Sequence, residues 1–259
     1  LDPTITVVVP VRDGGALLEQ CLRKIQASRL KPLELIVVDD GSSDGSPERA
    51  RGLGARVLST GGRCGPAHAR NVGARAARGD VVLFVDADVC IRRDTTARVR
   101  AAFVRDRELD GIMGSYDDEP SAPNFVSQYK NLLHCFVHQT GRRRASTFWS
   151  GCGAIRRAVF LAHGGFDESY RRPAVEDIEL GTRLCRAGHK IILDPDLRVK
   201  HLKRWSFGML VRSDVFDRAL PWTEIILRDR HMPNDLNLAR TQRLSVGLSL
   251  AFPVLVVAA

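Results

Sequence analysis

Leu83-Phe84-Val85-Asp86-Ala87-Asp88-Val89 closes an apolar run begun at Val81 with two carboxylates one residue apart. Such a run reads as a buried strand, and a buried strand gains nothing from ending in like charges. In an extended chain, side chains i and i+2 point the same way, about 6.6 Å apart along the strand. Asp86 and Asp88 are therefore expected on one face, with Ala87 on the other. Two hard oxygen donors on one face suit Mg2+ or Mn2+ shared with substrate phosphates, and such a metal neutralises a diphosphate leaving group. Solvated or helix-capping aspartates fit the same pattern.

On either side of this stretch, strands alternate with helices. Ile5-Thr6-Val7-Val8-Val9, ended by Pro10, Leu35-Ile36-Val37-Val38 and a strand around Arg56-Val57-Leu58 precede it. Between and after them, helical spacing runs from Ala16 to Ser28, from Pro47, and from Ala67 to Arg78 behind the Gly-rich turn Thr60-Gly61-Gly62-Arg63-Cys64-Gly65-Pro66. A helix from about Arg93 to Arg105 follows the fourth strand. This alternation predicts a mostly parallel sheet with right-handed crossovers, whose sites lie at the carboxyl ends of strands. Pro10-Val11-Arg12-Asp13, Asp39-Asp40 and Asp86-Ala87-Asp88 all fall on that rim.

The second half is less regular. A strand is expected over Gly111–Tyr116, a helix over Asn124–Gln139, and a glycine-loosened strand over Phe148–Ile155. A short helix then reaches Gly164, and a longer one opens at Val175 and runs to about Ala187. Two short strands, near Lys190–Leu193 and Arg198–His201, complete the core. From Ser206 to Arg230 apolar and basic residues alternate at helical spacing, with Pro221-Trp222 dividing the run in two. There is no internal repeat.

The chain has 259 residues and is 44% hydrophobic, enough core for one large domain or two small ones. Its net charge of +9, from 39 basic and 30 acidic residues, admits nucleic acid, anionic lipid or a phosphate-bearing substrate. The basic residues are spread over the chain without aromatic interleaving, so nucleic acid is not an expected partner. The 6 cysteines form no CxxC pair, which speaks against a disulfide framework or zinc knuckle and for reduced thiols in a cytosolic compartment. His134 and His138 could offer metal ligands on one helical face, or belong to an ordinary amphipathic helix. Leu1-Asp2-Pro3 leads directly into a strand with no signal-peptide pattern. Leu244 to Ala259 is uncharged but short of the roughly 20 residues that span a bilayer. The expectation is a chain that stops inside a transmembrane helix; a buried C-terminal core helix is the alternative.

The motifs Val7-Val8-Val9-Pro10, Val37-Val38-Asp39-Asp40-Gly41-Ser42-Ser43-Asp44-Gly45, Pro66-Ala67-His68-Ala69-Arg70-Asn71-Val72-Gly73, Asp86-Ala87-Asp88, Gly164-Gly165-Phe166-Asp167-Glu168 and Glu176-Asp177 stand in the order seen in family-2 glycosyltransferases. Over residues 4 to about 205 the chain resembles that family, in its membrane-associated form. The resemblance implies an α/β fold of the GT-A type, with a mostly parallel central sheet flanked by helices and amphipathic helices at the C-terminal end. It implies a catalytic domain over 1–205, with a nucleotide-binding half (1–110) and an acceptor half (111–205). Interfacial helices (206–240) and the start of a transmembrane helix (241–259) would follow. The activity implied is inverting transfer from a nucleotide-diphosphate sugar, most often of UDP, with GDP or dTDP possible, assisted by Mn2+ or Mg2+.

By the same resemblance, Pro10, Arg12 and Asp13 line the nucleotide pocket, and Asp40 accepts from the base with Arg70 beside it. Asp86 is shared between metal and ribose, and Asp88 is the principal metal ligand. Gly151, Cys152 and Gly153 approach the donor sugar, and Asp177, paired with Glu176, is the general base. An inverting transfer needs such a base, with its pKa near working pH. Glu176, Asp177 and Glu179 crowd one helix start, where mutual repulsion and the helix dipole oppose each other. Glu179 simply favours the dipole.

His201-Leu202-Lys203-Arg204-Trp205 resembles the Gln-x-x-Arg-Trp signature of processive polysaccharide synthases, with His in place of Gln. That substitution counts against processivity and makes His201 a candidate third metal ligand; a plain surface histidine is the alternative. Trp205 and Arg204 fall on the acceptor side. Ser206 to Arg230 resembles helices that seat membrane glycosyltransferases on the cytoplasmic leaflet, with snorkelling Arg and interfacial Trp; packing on the core is the other reading. The expected acceptor is membrane-associated, lipid-linked or a glycan, at the cytoplasmic face of the cell membrane. Two rivals are a haloacid-dehalogenase-type phosphatase, disfavoured by Cys90 and by the motif's place on the fourth strand, and an inactive sugar-nucleotide-binding protein.

Overall fold

The computed structural model describes residues 2–246 and 248. Four β-branched runs build the first half of one sheet: β1 (Ile5–Val11), β2 (Glu34–Asp39), β3 (Arg56–Ser59) and β4 (Val81–Val85). They alternate with α1 (Gly15–Gln26), α2 (Ser46–Gly52) and α3 (Pro66–Ala76). β1 pairs in parallel with β2 and β4, and β2 with β3. After β4 come the short β5 (Val89–Ile91), α4 (Thr95–Arg105), β6 (Leu109–Tyr116), α5 (Phe125–Gln139), β7 (Cys152–Arg156), α6 (Arg157–Ala162), α7 (Glu176–Arg186) and β8 (Lys190–His201). The 8-stranded order is β3-β2-β1-β4-β7-β6-β8-β5.

The sheet is less parallel than the alternation suggests. β7 runs antiparallel to both β4 and β6, and β5 antiparallel to β8. Because β7 reverses direction once on each side, β6 and β8 again run the way β4 does. The carboxyl ends of β1, β2, β4, β6 and β8 therefore share one rim with the amino end of β7. This is the topological reason that Arg12, Asp40, Asp86, Tyr116, His201 and Ser150 come together.

Period-2 alternation distributes the strand residues to two cores. Val7, Val9, Leu83 and Val85 face α1 and α4, while Val8, Val82 and Phe84 face α3, α6 and α7. On the second side Phe84, Phe160 and Phe166 form a cluster of rings with centroids 5.2 to 5.3 Å apart. Asn71, 1% exposed, ties α3 to the loop after α6: its Oδ1 accepts from Phe166 N–H, and its Nδ2 donates to Phe166 C=O and to Glu168.

Four local expectations change. β1 continues through Pro10 to Val11, because its pairing with β4 ends at Val8 and leaves a half-open edge that tolerates proline. β7 starts only at Cys152, and residues 148–151 turn into the site instead. The two short strands near 190 and 198 are one strand with an irregularity in its pairing to β6. Pro221-Trp222 does not divide the last helical run. α8 (Phe207–Arg212), a π-helical segment (Ser213–Ala219) and α9 (Leu220–Asp229) are continuous right-handed helix. Pro221 lacks an N–H and crowds the carbonyl four residues back, and the wide π turn just upstream absorbs both defects.

This run packs on the core through Ile225, which meets Val175 and Ile178, while Phe207, Phe216 and Leu227 stay exposed. Among the described residues no helix is long and apolar enough to cross a membrane. The transmembrane segment expected over 241–259 lies largely outside the described residues, and the described part does not support anchoring by it. All six cysteines are free thiols.

Candidate active site

The rim opens onto a cavity of about 560 Å3 walled by Pro10, Arg12, Asp13, Asp40, Arg70, Asp86 and Asp88 on one side and by Tyr116, Trp149, Asp177, His201 and Trp205 on the other. Asp40 organises the near wall. Its Oδ1 accepts from Cys64 N–H and Thr60 Oγ, and its Oδ2 from Gly65 N–H. These bonds fold the Gly-rich turn back over the end of β2. Gly65 is required there: its φ is +97°, and a Cβ would lie 2.6 Å from Arg171 O. Asp13 does the same for the neighbouring loop, accepting from Ser43 N–H and Oγ.

The two aspartates of the opening motif both line the cavity, but not as neighbours on one extended strand. β4 stops at Val85, and residues 86–88 turn, with Val89 N–H donating to Asp86 C=O at 3.0 Å. The i, i+2 rule holds only for extended chain, so the turn sends the carboxylates to different partners. Asp86 accepts from Arg70 at 2.7 Å, whereas Asp88 faces His201, with Nε2 to Oδ2 at 3.4 Å. The expected trio of Asp86, Asp88 and His201 is therefore not assembled. Among the described residues no group of three or more His, Cys, Asp or Glu converges to hold a metal.

Asp88 and His201 nonetheless form a pair whose chemistry fits a divalent cation. His201 Nδ1 meets Asn131 Oδ1 at 2.9 Å, so Nδ1 can keep a proton on that side while Nε2, which faces Asp88, would turn from hydrogen-bond donor to ligand if a cation entered between them. The ring is clamped by Tyr116, stacked at 4.6 Å and 7°. Burial opposes ionisation of Asp88, but His201 and the Lys203 charge hold its carboxyl below the usual range. Two protein ligands leave positions for phosphate oxygens, as Mg2+ and Mn2+ sites do.

Arg70 sits between Asp86 and Glu176, donating to them at 2.7 and 2.8 Å. Burial disfavours its charge, yet the two carboxylates more than offset that and raise its pKa. Glu176, 3% exposed, also accepts from Ala174 N–H. It is committed to this bridge and does not line the cavity.

Asp177 does line it. Its Oδ2 accepts from Ser150 N–H at 3.0 Å and Ser150 Oγ at 3.2 Å, and its Oδ1 from Ile178 N–H. Burial and the neighbouring Glu176 push its pKa up to about 6, against the Ser150 N–H, Arg70 and Arg218. That is a carboxylate poised for proton transfer near neutral pH.

Gly151, Cys152 and Gly153 do not reach the cavity. A Cβ on Gly151 would meet the Trp149 indole at 2.5 Å, and one on Gly153 the Trp149 carbonyl at 2.3 Å. These glycines admit Trp149, and it is Trp149 that reaches the site. Cys152 is buried, which pushes its thiol up to about 12. Arg204 is exposed and outside the wall, whereas Trp205 is buried in it, with Lys203 Nζ 4.4 Å from its ring centroid.

His134 and His138 belong to a stack rather than a metal site. His134 lies 4.1 Å from both the Tyr116 and His138 rings, and His138 Nδ1 bonds Gly114 C=O. Burial lowers both imidazole pKa values, that of His138 to about 4. Sequence reasoning missed Tyr116, Trp149, Ser150, Lys203 and Arg218. Tyr116 could have been found, since it ends a strand on the same rim; Arg218 carries no local signal, because only the π turn brings it to the cavity.

The glycosyl transferase family 2 model matches residues 6–164. The chain is 32% identical over 221 residues to a pre-mycofactocin glycosyltransferase of Mycobacterium tuberculosis, a match covering 76% of this chain and 42% of that protein. This chain therefore spans about two fifths of that relative's length. It is 26% identical to an N-acetylglucosaminyl-diphospho-decaprenol L-rhamnosyltransferase of the same organism, over 88% of this chain and 85% of that protein. Among solved structures, a mannosyltransferase of Pyrobaculum calidifontis in complex with GDP-Man and Mn2+ superposes with a TM-score of 0.63 at 25% identity, over 82% of this chain and 60% of that one.

Proposed function

This chain belongs to glycosyl transferase family 2 and has the GT-A fold of its structural neighbours, and from that premise we propose that it is an inverting transferase of a sugar from a nucleoside diphosphate, UDP favoured, to a hydroxyl of a membrane-associated acceptor. The observation that carries this reading is Asp177, a carboxylate that lines the cavity, is held by Ser150 and has its pKa at about 6. Asp177 takes the proton of the acceptor hydroxyl as that oxygen attacks the anomeric carbon from the face opposite the leaving group. The new glycosidic bond forms as the bond to the nucleoside diphosphate breaks, and the proton stays on the carboxyl group.

The Ser150 N–H and Oγ hold the Asp177 carboxylate in place for that transfer. Pro10, Arg12, Asp13 and Asp40 wall the nucleoside end, and Asp86, oriented by Arg70, faces the ribose. Mn2+ or Mg2+, held by Asp88 and His201, would neutralise the diphosphate charge. The exposed Phe207, Phe216 and Leu227, interspersed with arginines, support peripheral contact with the cytoplasmic face of a membrane where a lipid-linked or glycan acceptor resides.

The test is a thermal-shift panel of UDP-, GDP- and dTDP-sugars with and without Mn2+, followed by nucleotide release on the hits. The reading requires one donor to stabilise the protein in a Mn2+-dependent way and to be turned over to free nucleoside diphosphate. Binding without release would instead mark a sugar-nucleotide-binding protein, and no binding would refute both.

A further inference from the structure

At the end of the sheet opposite the active site, two imidazoles meet. Leu109 pairs with Lys190 at the amino ends of β6 and β8, while Tyr116, at the far end of β6, stands on the cavity rim. Six steps of strand at about 3.3 Å put Asp110 roughly 20 Å from Tyr116. Beside Asp110, His189 Nε2 faces His163 Nε2 at 2.7 Å, with the rings at 87° to each other. Neither histidine lines the active-site cavity.

Each imidazole is delivered by a helix end. His163 closes α6 just before Gly164 and Gly165, whose φ values of +76° and +72° turn the chain. His189 follows Gly188, φ +91°, which turns the chain out of α7 and into β8. Both turns are closed by backbone groups, His163 N–H to Val159 C=O and His189 N–H to Leu184 C=O. Neither ring is needed as a cap.

Behind the pair, Asp110 Oδ2 accepts from His189 Nδ1 at 2.9 Å and from Lys190 N–H at 3.0 Å. His189 Nδ1 is thereby committed as a donor, and at 2.7 Å only one hydrogen fits between the two Nε2 atoms. A carboxylate behind an imidazole whose other nitrogen points at a shared spot is the arrangement that orients metal-ligating histidines. The carboxyl end of α7 adds negative potential. The neighbouring cations are engaged elsewhere: Lys190 with Asp106 at 2.7 Å, and Arg183 with Glu179 and the carbonyls of His163 and Gly165.

We propose that His163 and His189 form a transition-metal site of the kind Zn2+ occupies, with Asp110 orienting His189 from behind. Imidazole suits Zn2+, whereas the Mg2+ or Mn2+ of a diphosphate site prefers oxygen. The ion takes the place of the shared hydrogen, which leaves to solvent as a proton. Two nitrogens on a tetrahedral Zn2+ stand about 3.3 Å apart, so the rings part by roughly half an ångström. No third His, Cys, Asp or Glu converges there among the described residues, and water completes the shell, reaching a His189 side chain that is 23% exposed. Bound there, the ion ties the end of α6 to the start of β8 and, through Arg183, to α7. The inference is independent of the transferase reading.

Zn2+ competition against a chromophoric chelator tests it on the full, untagged chain carrying Asp88→Ala, which removes the principal metal ligand of the rim. Into that parent go His163→Ala, His163→Gln, His189→Ala and Asp110→Asn. The parent should bind one Zn2+, and each histidine variant should weaken it by about tenfold or more. Asp110→Asn should cost about 10- to 100-fold, as loss of an orienting partner does. His163→Gln keeps a hydrogen-bonding group opposite His189, so it should lose the metal yet melt, metal-free, as the parent does. Added Zn2+ should raise the melting temperature of the parent and not that of His163→Gln. Absence of Zn2+ binding by the parent, or binding indifferent to either histidine, overturns the proposal. The first result, with both alanine variants destabilised, would leave the pair as a hydrogen-bonded contact alone.

Discussion

Arg70 donates to Glu176 at 2.8 Å with both side chains almost wholly buried, joining α3 to the start of α7. The same guanidinium reaches Asp86, so the nucleotide rim and the helix carrying Asp177 are braced by one residue. Breaking a buried pair from one side leaves an uncompensated charge, whereas replacing both partners does not.

Arg70→Met should therefore lower the free energy of unfolding by about 3–5 kcal/mol. The double variant Arg70→Met/Glu176→Met should recover a good part of that loss while remaining inactive. Urea unfolding of the two proteins decides it. A single variant as stable as the wild type would mean that solvent reaches the bridge and that its role is not structural.

Asp177 must be ionised to accept a proton, and its pKa stands at about 6. Transfer should accordingly rise with pH through about 6 and level off above it. Asp177→Asn should reduce kcat by about 100- to 10,000-fold, the usual contribution of a general base, and leave donor binding in place. A pH profile of kcat/KM for the wild type and nucleotide titration of the variant are the measurements. Undiminished transfer by Asp177→Asn would remove this residue from the mechanism.

The same shift has a consequence for stability. An aspartate whose pKa is raised on folding binds its proton more tightly in the native state, so it destabilises the fold as pH rises between about 4 and 6. Asp177→Asn escapes that penalty. Relative to wild type it should be more stable at pH 8 than at pH 3.5, by up to about 3 kcal/mol across the window. Paired thermal melts at the two pH values would show the divergence; parallel melts would mean that solvation cancels the burial of Asp177.

The parts of the site legible in the sequence were those fixed by strand ends. Asp40, Asp86 and His201 each follow or close a strand, with Asp88 two residues further on, and topology alone puts such ends on one rim. What was not legible depended on where chains turn. The i, i+2 rule paired Asp86 with Asp88 as if extended chain ran past Val85, but β4 ends there and the turn over residues 86–88 gives the two carboxylates different partners. Gly151 and Gly153 signalled a close approach, but nothing local says whether a ligand or Trp149 makes it. Arg218 was invisible for a related reason: helical spacing assumes 3.6 residues per turn, and the π turn breaks that count.

The parting of the two aspartates yields the most direct test of the metal site. With UDP present, free Mn2+ measured by electron paramagnetic resonance should show binding lost in Asp88→Ala and in His201→Ala. Asn131→Leu removes the acceptor that fixes the His201 tautomer, and loss of such a partner typically costs about 10- to 100-fold in metal affinity. Asp86→Asn should retain most of the Mn2+, because Asp86 is turned toward Arg70 and not toward His201. If Asp86→Asn loses the metal as completely as Asp88→Ala, the turn at residues 86–88 rearranges on donor binding and both carboxylates become ligands. If Asn131→Leu binds Mn2+ as the wild type does, the tautomer is set by the Tyr116 stack and the amide is dispensable.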